Sequence, residues 1–200
     1  MVKKRESTAV RQRQIVDAAK KVIIKYGSEH LTVKRIAKEV GISETAIYRH
    51  FKSKKDMLSL LADYIEDSLL GDIARAATSD YTSPLEVLDT ALRSHLSSIE
   101  QRHGISFQVI AEIISLGDKK LNKKITDTIH KYISHLKGLL AEGIKTGEVR
   151  EDIDLDAAAT VLFGMIQGLV NIWALSNYQF NPQEKYVPLW QIFREAIVKR

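Results

Sequence analysis

Five side chains that bind phosphate oxygens well are crowded into seven residues of the segment GISETAIYRHFKSK, residues 41–54: Tyr48, Arg49, His50, Lys52 and Lys54. Hydroxyl and cationic groups are the usual donors to the phosphates of a duplex backbone. The preceding residues Glu44, Thr45 and Ala46 are small or polar, so a helix that carries them can approach base edges closely. The pattern therefore indicates a short helix that enters a groove while the cluster holds the backbone.

The elements around this segment must hold it in place, and the spacing of apolar residues predicts that they are helices. A first helix is predicted over residues 11–26. Thr32 is expected to cap a second helix, and Ser43 to cap a short third helix after a turn at Gly41. By spacing, the inward residues of the third helix are Ile42, Ile47 and Phe51. Two helices joined by a three-residue turn have the proportions of a helix-turn-helix, whose second helix lies in the major groove.

Helical periodicity continues along the chain, and no strand-like alternation persists. Helix four is predicted to follow a capping box of Ser53 and Asp56, and helix five to follow the N-cap Ser83. The apolar face of helix six is predicted as Phe107, Ile110, Ile113 and Ile114. The stripe of helix nine is predicted as Leu189, Phe193, Ala196 and Ile197. Asp154 is expected to cap helix eight, and the whole chain to be all-α with about nine helices.

Composition limits the classes of protein to which the chain can belong. It contains no cysteine, which excludes disulfides and thiolate metal sites. Residues 1–60 carry 15 Lys or Arg against 6 Asp or Glu, a net charge of +9. Residues 61–200 carry 15 against 19, a net charge of −4. This asymmetry suggests a polyanionic partner at the N-terminal end, although a solvated charged surface would have the same composition.

One segment has the length and composition of a membrane span. Residues 157–175, AAATVLFGMIQGLVNIWAL, carry no charge and are long enough to cross a bilayer. Small or polar residues nevertheless recur in it at helical spacing: Thr160, Gly164, Gln167, Gly168 and Asn171. That stripe favours a helix packed between two protein layers, so we expect no membrane partner.

The stretch LTVKRIAKEVGISETAIYRHFKSKKDML resembles the N-terminal DNA-binding domain of the TetR family of bacterial and archaeal regulators. The motifs T-V-x-x-I-A, V-G-I-S, A-I-Y-R-H-F and K-S-K occur in order and at the family's spacing. The resemblance implies a homodimer that binds a palindromic operator in double-stranded DNA and usually represses transcription. It also implies a DNA-binding domain over residues 1–58, joined by helix four to a ligand-binding and dimerisation domain over residues 59–200.

The resemblance assigns DNA contacts residue by residue. The usual phosphate-contact positions of the family fall on Thr32, Tyr48, His50 and Lys54. The base-facing positions fall on Glu44, Thr45, Ala46 and Arg49. Contacts to phosphates position a protein on the duplex, whereas contacts to base edges select the sequence. We therefore expect substitutions in the two sets to have different effects on binding.

The resemblance also implies that helices eight and nine form the dimer interface. Gly164 and Gly168 would let two helices cross closely, with Trp190 or Phe193 as anchors. The alternative is that this stripe packs on helices five and seven of its own subunit. The implied effector pocket has candidate lining residues, which would otherwise be plain core: Phe107, Ile110, Ile133, Phe163, Gln167, Asn171 and Trp173. A small apolar compound, acyl-like or aromatic, is the expected effector.

The histidines of the C-terminal half form no recognisable catalytic or zinc-binding pattern, and we expect them on charged faces. They are His95, His103, His130 and His135. We expect no metal, no cofactor and no catalytic residue, although an enzyme that uses this half is the alternative of a different class. Another alternative is a DNA-bound scaffold, such as a nucleoid or division regulator, without a small ligand. The basic start lacks the apolar core of a signal peptide, which predicts a cytoplasmic protein.

Overall fold

The structure is a computed structural model that describes residues 7–77 and 83–199. In those residues the backbone forms nine α-helices and one short 3-10 helix, Ser28–His30, which confirms the predicted all-α fold. The α-helices are α1 (Thr8–Tyr26), α2 (Val33–Val40), α3 (Glu44–Tyr48), α4 (Lys54–Ala77), α5 (Pro84–Gln101), α6 (Ile105–Leu116), α7 (Lys119–Lys145), α8 (Leu155–Leu175) and α9 (Pro182–Ile197).

Side-chain caps fix where most of these helices begin. The predicted N-caps of α2, α3, α5 and α8 each accept a hydrogen bond from a backbone N–H group in the first turn, and they are Thr32, Ser43, Ser83 and Asp154. At the start of α4, Ser53 Oγ accepts from the Asp56 N–H at 3.3 Å, and Asp56 Oδ2 accepts from the Lys52 N–H at 2.7 Å. The first helix begins at Thr8 rather than at residue 11, because Ser7 caps it.

The first compact unit comprises Met1–Ile65 and Ile105–Ile125. Its core consists of side chains from α1 to α4 that are at most 2% exposed: Ile15, Ile23, Ile36, Ile47, Phe51 and Leu58. The α6 helix also belongs to this unit and contacts both α1 and the 3-10 helix. The predicted domain 1–58 lies within this unit. Residues 105–125 also belong to this unit, although they are part of the predicted second domain.

The second compact unit comprises Glu66–Gly104 and Thr126–Arg200. In it α8 contacts α9, and α5 contacts both of these helices. Apolar side chains fill its interior: Leu88, Leu92, Leu96, Leu136, Leu140, Leu162 and Ile166. The α4 and α7 helices are long enough to contribute residues to both units.

Two predicted apolar faces are wrong in part: Ile113 on α6 and Phe193 and Ile197 on α9 are buried as predicted, but Ile114 and Ala196 are exposed. On α6 the buried residues are Ile105, Val109 and Ile113, whereas Ile114 is 66% exposed. These buried residues are four positions apart and share one face of the helix, and contacts of α6 with α1 and the 3-10 helix decide which face is buried. On α9 the exposed Ala196 does not belong to the buried stripe. That stripe consists of Pro182, Tyr186, Trp190, Phe193 and Ile197.

In the part of the chain that the structure describes, α8 is the one helix long and apolar enough to cross a membrane. One of its faces is buried in the second unit and includes Leu162, Ile166 and Val170. Thr160 and Gly164 lie on the exposed side. A core helix of a folded unit has this composition too, so length and hydropathy alone do not identify a membrane span here.

Candidate nucleic-acid interface and effector unit

The position of α3 is set by the turn before it and by two buried anchors after it. Gly41 ends α2 in the left-handed conformation, with φ of +74°, and its N–H donates to Ala37 O at 2.9 Å. Ser43 then caps α3 by accepting from the Ala46 N–H at 3.2 Å. Ile47 and Phe51 are almost completely buried and fix the inner side of this short helix. The opposite side of α3 is therefore held in a defined orientation toward solvent.

The predicted base-facing residues occupy that outward side. Glu44, Thr45 and Arg49 are exposed, and Ala46 is half-buried. Together they present a carboxylate, a hydroxyl and a guanidinium group on a tip that consists of the five residues of α3 and its C-cap residue Arg49. These groups can hydrogen-bond to base edges, and the small side chain of Ala46 leaves room for a groove wall.

The predicted phosphate-contact residues flank this tip, and three of them differ in how available they are. The Tyr48 side chain is 52% exposed, so its hydroxyl can reach a partner. The Thr32 hydroxyl accepts from the Arg35 N–H at 3.3 Å as the cap of α2, which leaves its own proton to donate. His50 is half-buried, and its Nδ1 atom is buried without a hydrogen-bond partner.

Lys54, the fourth phosphate-contact candidate, has an acidic partner inside the first unit. Its Nζ lies 2.6 Å from Glu112 Oε1 of α6, and both side chains are partly buried. Next to it, Lys55 Nζ lies 2.5 Å from Asp118 Oδ2. The hydrogen bond from Lys55 lowers the pKa of the Asp118 carboxyl group, and backbone N–H groups at the start of α7 add to the effect. Carboxylates of residues 105–125 thus hold both ammonium groups that begin α4.

The exposed faces of α8 and α9 carry an apolar surface, which we call the α8/α9 face. Its large apolar side chains are between 46% and 84% exposed and belong to Val161, Ile172, Leu175, Val187 and Ile192. Gly164 is exposed and Gly168 half-buried on α8, and a Cβ atom added to either would meet nothing within 4 Å. This surface lacks a covering layer in the protomer.

The two predicted interface anchors are buried in the single chain. Trp190 and Phe193 are each 8% exposed, and their rings stack with centroids 6.0 Å apart. Tyr186 stacks on Trp190 from the other side along the helix, at 6.4 Å. These aromatic side chains pack inside the second unit, so the outward face of α9 presents Val187 and Ile192 instead.

The predicted effector residues divide between the two units. Phe107 and Ile110 are half-buried residues of the first unit, and the other candidates belong to the second. Ile133, Phe163 and Gln167 are half-buried there, whereas Asn171 is exposed. Trp173 is 4% exposed, and its Nε1 atom is buried without a hydrogen-bond partner. Gln167 and Asn171 are the two amide side chains among these candidates. Asn171 is exposed, so solvent can satisfy its hydrogen bonds.

Sequence reasoning missed a group of polar residues inside the second unit, which we call the buried polar cluster: Asp72 of α4, His95 and Ser98 of α5, and Tyr132 of α7. Asp72 and Tyr132 are 0% exposed and His95 is 5% exposed. Asp72 Oδ1 accepts from Ser98 Oγ at 3.0 Å and from Arg75. His95 Nδ1 lies 3.7 Å from Asp72 Oδ2, and the rings of His95 and Tyr132 are 5.2 Å apart.

The buried polar cluster corrects the expectation that His95 lies on a charged face. The other three histidines are exposed, as expected. His95 instead lies on the inward face of α5 with Leu88, Leu92 and Leu96, and this spacing was a usable signal of its burial. Tyr132 likewise lies on the buried face of α7, with Leu136 and Leu140. Burial raises the pKa of the Tyr132 hydroxyl, and the negative charge of Asp72 raises it further, so this hydroxyl stays protonated.

Sequence profiles of known families match two successive parts of the chain. The profile of the bacterial regulatory proteins of the tetR family matches residues 15–61. A second profile, described as the C-terminal region of YsiA-like protein, matches residues 67–195. The first match contains α2, the turn at Gly41 and α3.

Individual relatives agree with these profiles. The chain is 31% identical to the fatty acid metabolism regulator protein of Bacillus subtilis, over 84% of this chain and 86% of that protein. It is 28% identical to the nucleoid occlusion factor SlmA of Photobacterium profundum, over 83% of this chain and 84% of that protein.

A solved structure gives the same result. The chain is similar to the transcriptional regulator FadR from Bacillus subtilis in complex with stearoyl-CoA, with a TM-score of 0.77 and 26% identity. The alignment covers 90% of this chain and 96% of the FadR chain. The exposed tip of α3 and the profile that spans more than half of the chain lead to one conclusion. This protein belongs to the TetR family of DNA-binding transcriptional regulators.

Proposed function

We propose that this protein is a cytoplasmic repressor that binds a palindromic operator as a homodimer and leaves it when an apolar acyl compound binds the second unit. The observation that supports this most is the α3 tip, which is exposed on one side and anchored on the other by Ile47 and Phe51. The positive charge of residues 1–60 would draw this tip toward duplex DNA.

Dimerisation is required because a recognition helix of five residues can read only a few base pairs. Two such helices reach successive major grooves when their half-sites lie about 34–36 Å apart. The α8/α9 face supplies an apolar surface for this purpose, and Gly164 and Gly168 leave space for a second helix to approach. In this proposal Trp190 and Phe193 support the interface from beneath, and the exposed Val187 and Ile192 make the contact.

Lys54 would have to exchange partners when DNA binds. Its ammonium group lies 2.6 Å from Glu112, so a phosphate at this position must either displace that carboxylate or lie beside a like charge. Glu112 therefore opposes DNA binding in the proposed mechanism. Any movement of α6 that strengthens or weakens this ion pair would change the affinity for the operator.

The proposed effector is a long-chain acyl compound, and acyl-CoA is the form we favour. The relative from Bacillus subtilis is named as a fatty acid metabolism regulator, and FadR from that organism binds stearoyl-CoA in the solved structure. Our chain is similar to both over most of its length. Effector binding would shift the dimer toward a state whose two α3 helices no longer match successive grooves.

A second candidate is a DNA-bound scaffold that responds to no small ligand. The similarity to SlmA supports it, because that relative is named as a nucleoid occlusion factor. A repressor and a scaffold differ in the number of sites that they occupy on a chromosome.

The test is selection of genomic fragments by the purified full-length protein, with and without stearoyl-CoA. The proposed repressor recovers a few promoter fragments that share a palindrome, and stearoyl-CoA releases them. Recovery of many dispersed fragments that stay bound in stearoyl-CoA would favour the scaffold. Failure to enrich any duplex fragment would contradict both candidates.

A further inference from the structure

Several buried polar atoms of the second unit lack a hydrogen-bond partner, and three of these belong to the buried polar cluster. Among the described side chains these three are Asp72 Oδ2, His95 Nε2 and Tyr132 Oη. Buried polar groups are normally paired within the protein or with a bound molecule. Tyr186 of the same unit follows this rule, since its hydroxyl donates to Asp89 Oδ1 at 2.8 Å. The contrast between the two buried tyrosines indicates that Tyr132 awaits a partner.

From this geometry we infer that Tyr132 and His95 recognise the carbonyl end of a neutral acyl ester or thioester. The inference rests on the proposed function and adds to it the polar contacts that would hold the effector. It concerns residues that sequence analysis did not assign to the pocket.

The donors and acceptors of the cluster can be assigned from its contacts. Tyr132 keeps its proton and therefore offers a donor, which a carbonyl oxygen accepts. The carboxylate of Asp72 lies 3.7 Å from His95 Nδ1. The other ring nitrogen, Nε2, is buried and can form a hydrogen bond with an N–H or O–H group of the same ligand. An acyl thioester with an amide-bearing arm contains both kinds of group.

The charges of the cluster favour a neutral head group over a free carboxylate. Asp72 carries a fully buried negative charge, and Arg75 is its cationic partner. A second anion beside Tyr132 would lie near Asp72 without a cation of its own, which is unfavourable in the interior. A thioester carbonyl accepts the same hydrogen bond from Tyr132 and adds no charge.

The apolar part of the ligand has a suitable neighbour on α8. The ring of Phe163 meets the ring of Tyr132 edge-on, with centroids 6.1 Å apart, and Phe163 is half-buried. Phe163 is also one of the residues predicted to line an effector pocket. A carbonyl group held by Tyr132 would therefore place its alkyl chain beside an aromatic side chain of the predicted lining.

The experiment measures the dissociation constants of the full-length protein for two ligands below their micelle concentrations. They are stearoyl-CoA and S-octadecyl-CoA, a thioether in which a methylene group replaces the carbonyl. The wild-type protein is expected to bind the thioester about tenfold more tightly, which corresponds to one buried hydrogen bond. Tyr132→Phe should bind both ligands with equal affinity. Tyr186→Phe is the control and should keep the preference.

The outcomes separate this inference from the proposed function. Equal binding of the two ligands by the wild-type protein, or a preference that persists in Tyr132→Phe, overturns the inference and leaves an acyl effector standing. Binding of neither ligand by the wild-type protein overturns the acyl effector and the inference together. The comparison of the two ligands on wild-type protein needs no variant, so it stands even if Tyr132→Phe folds poorly.

Discussion

The helix caps of the first unit and the buried polar cluster of the second use their polar side chains differently. In the first unit, Thr32, Ser43 and Ser53 lie at helix starts, where each hydroxyl accepts a backbone hydrogen bond at 3.2 to 3.3 Å near the surface. In the second unit, His95 and Tyr132 lie deep in the interior with polar atoms that no protein group satisfies. The first arrangement completes the ends of helices, and the second is the proposed site of the acyl carbonyl group.

The α3 tip would recognise DNA with a surface that is already formed. The buried polar cluster would recognise its ligand through buried atoms that lack hydrogen-bond partners. The α3 tip is held by local rules, namely a left-handed Gly41, a Ser43 cap and two buried anchors, and it needs no ligand to take shape. In the buried polar cluster, the Tyr132 hydroxyl and His95 Nε2 would gain hydrogen-bond partners only when the proposed ligand binds. We therefore expect substitutions at the α3 tip to change DNA binding directly and those in the buried polar cluster to change its control.

The largest expected effect is on assembly. Gly164→Leu should convert the dimer to a monomer and weaken operator binding by at least about 100-fold, because two linked half-sites are lost. A Cβ atom at this position would meet nothing within 4 Å in its own protomer, so the fold should persist. Gly138→Leu on α7 is the matched control, since a Cβ atom there also meets nothing within 4 Å. Analytical ultracentrifugation measures the oligomeric state of both variants. A Gly164→Leu variant that remains a dimer would contradict the proposed interface.

The next prediction distinguishes a residue that contacts bases from a residue that contacts phosphates. Thr45→Ala should change which operator variants are preferred, by about tenfold at the contacted base pair. Tyr48→Phe should weaken binding to all duplexes alike, because its hydroxyl is assigned to a phosphate. Binding to a set of single-base operator variants measures both effects. Unchanged sequence preference in Thr45→Ala would show that this residue does not read bases.

A smaller effect is expected from the carboxylate that holds Lys54. Glu112→Gln should tighten DNA binding about fivefold, within the range of a partly exposed ion pair. It should also make the slope of log affinity against log salt more negative, by the amount expected for about one additional phosphate contact. Asp63→Asn is the control, because it removes one negative charge from the same unit, where Asp63 pairs with Lys124 at 2.5 Å. Equal changes in the two variants would show that only net charge matters.

The smallest effect contrasts the two buried tyrosines in the absence of ligand. Tyr186→Phe should lower the free energy of unfolding by about 1 kcal/mol, since it removes the hydrogen bond to Asp89. Tyr132→Phe should leave that free energy unchanged or raise it, because its hydroxyl has no partner. Urea denaturation measures both. An equal loss in Tyr132→Phe would mean that an ordered water already satisfies this hydroxyl.

The first unit was predictable because its signals are local. Caps such as Thr32 and Ser43 and the turn at Gly41 act over three or four residues, so sequence spacing was enough to place α2 and α3. The phase of α6 was not predictable in this way, because Ile110 and Ile114 are as apolar as the residues that became buried. Only tertiary contacts decide between two apolar faces of one helix.

The second unit was less predictable because its important features are long-range. His95 and Asp72 are 23 positions apart and come together only when α4 and α5 pack. Trp190 and Phe193 were expected at an interface as large aromatic residues, yet the protomer buries them in its own core. Sequence distinguishes an apolar face from a polar one, but not which of two apolar faces remains exposed.

The most direct test of the DNA-binding claim is a salt titration of wild-type protein on an unselected DNA duplex, followed by fluorescence anisotropy. If a dimer neutralises about eight phosphates, log affinity should fall against log salt with a slope near −7. A slope near zero, or no binding at low ionic strength, would contradict the claim that residues 1–60 hold a duplex backbone.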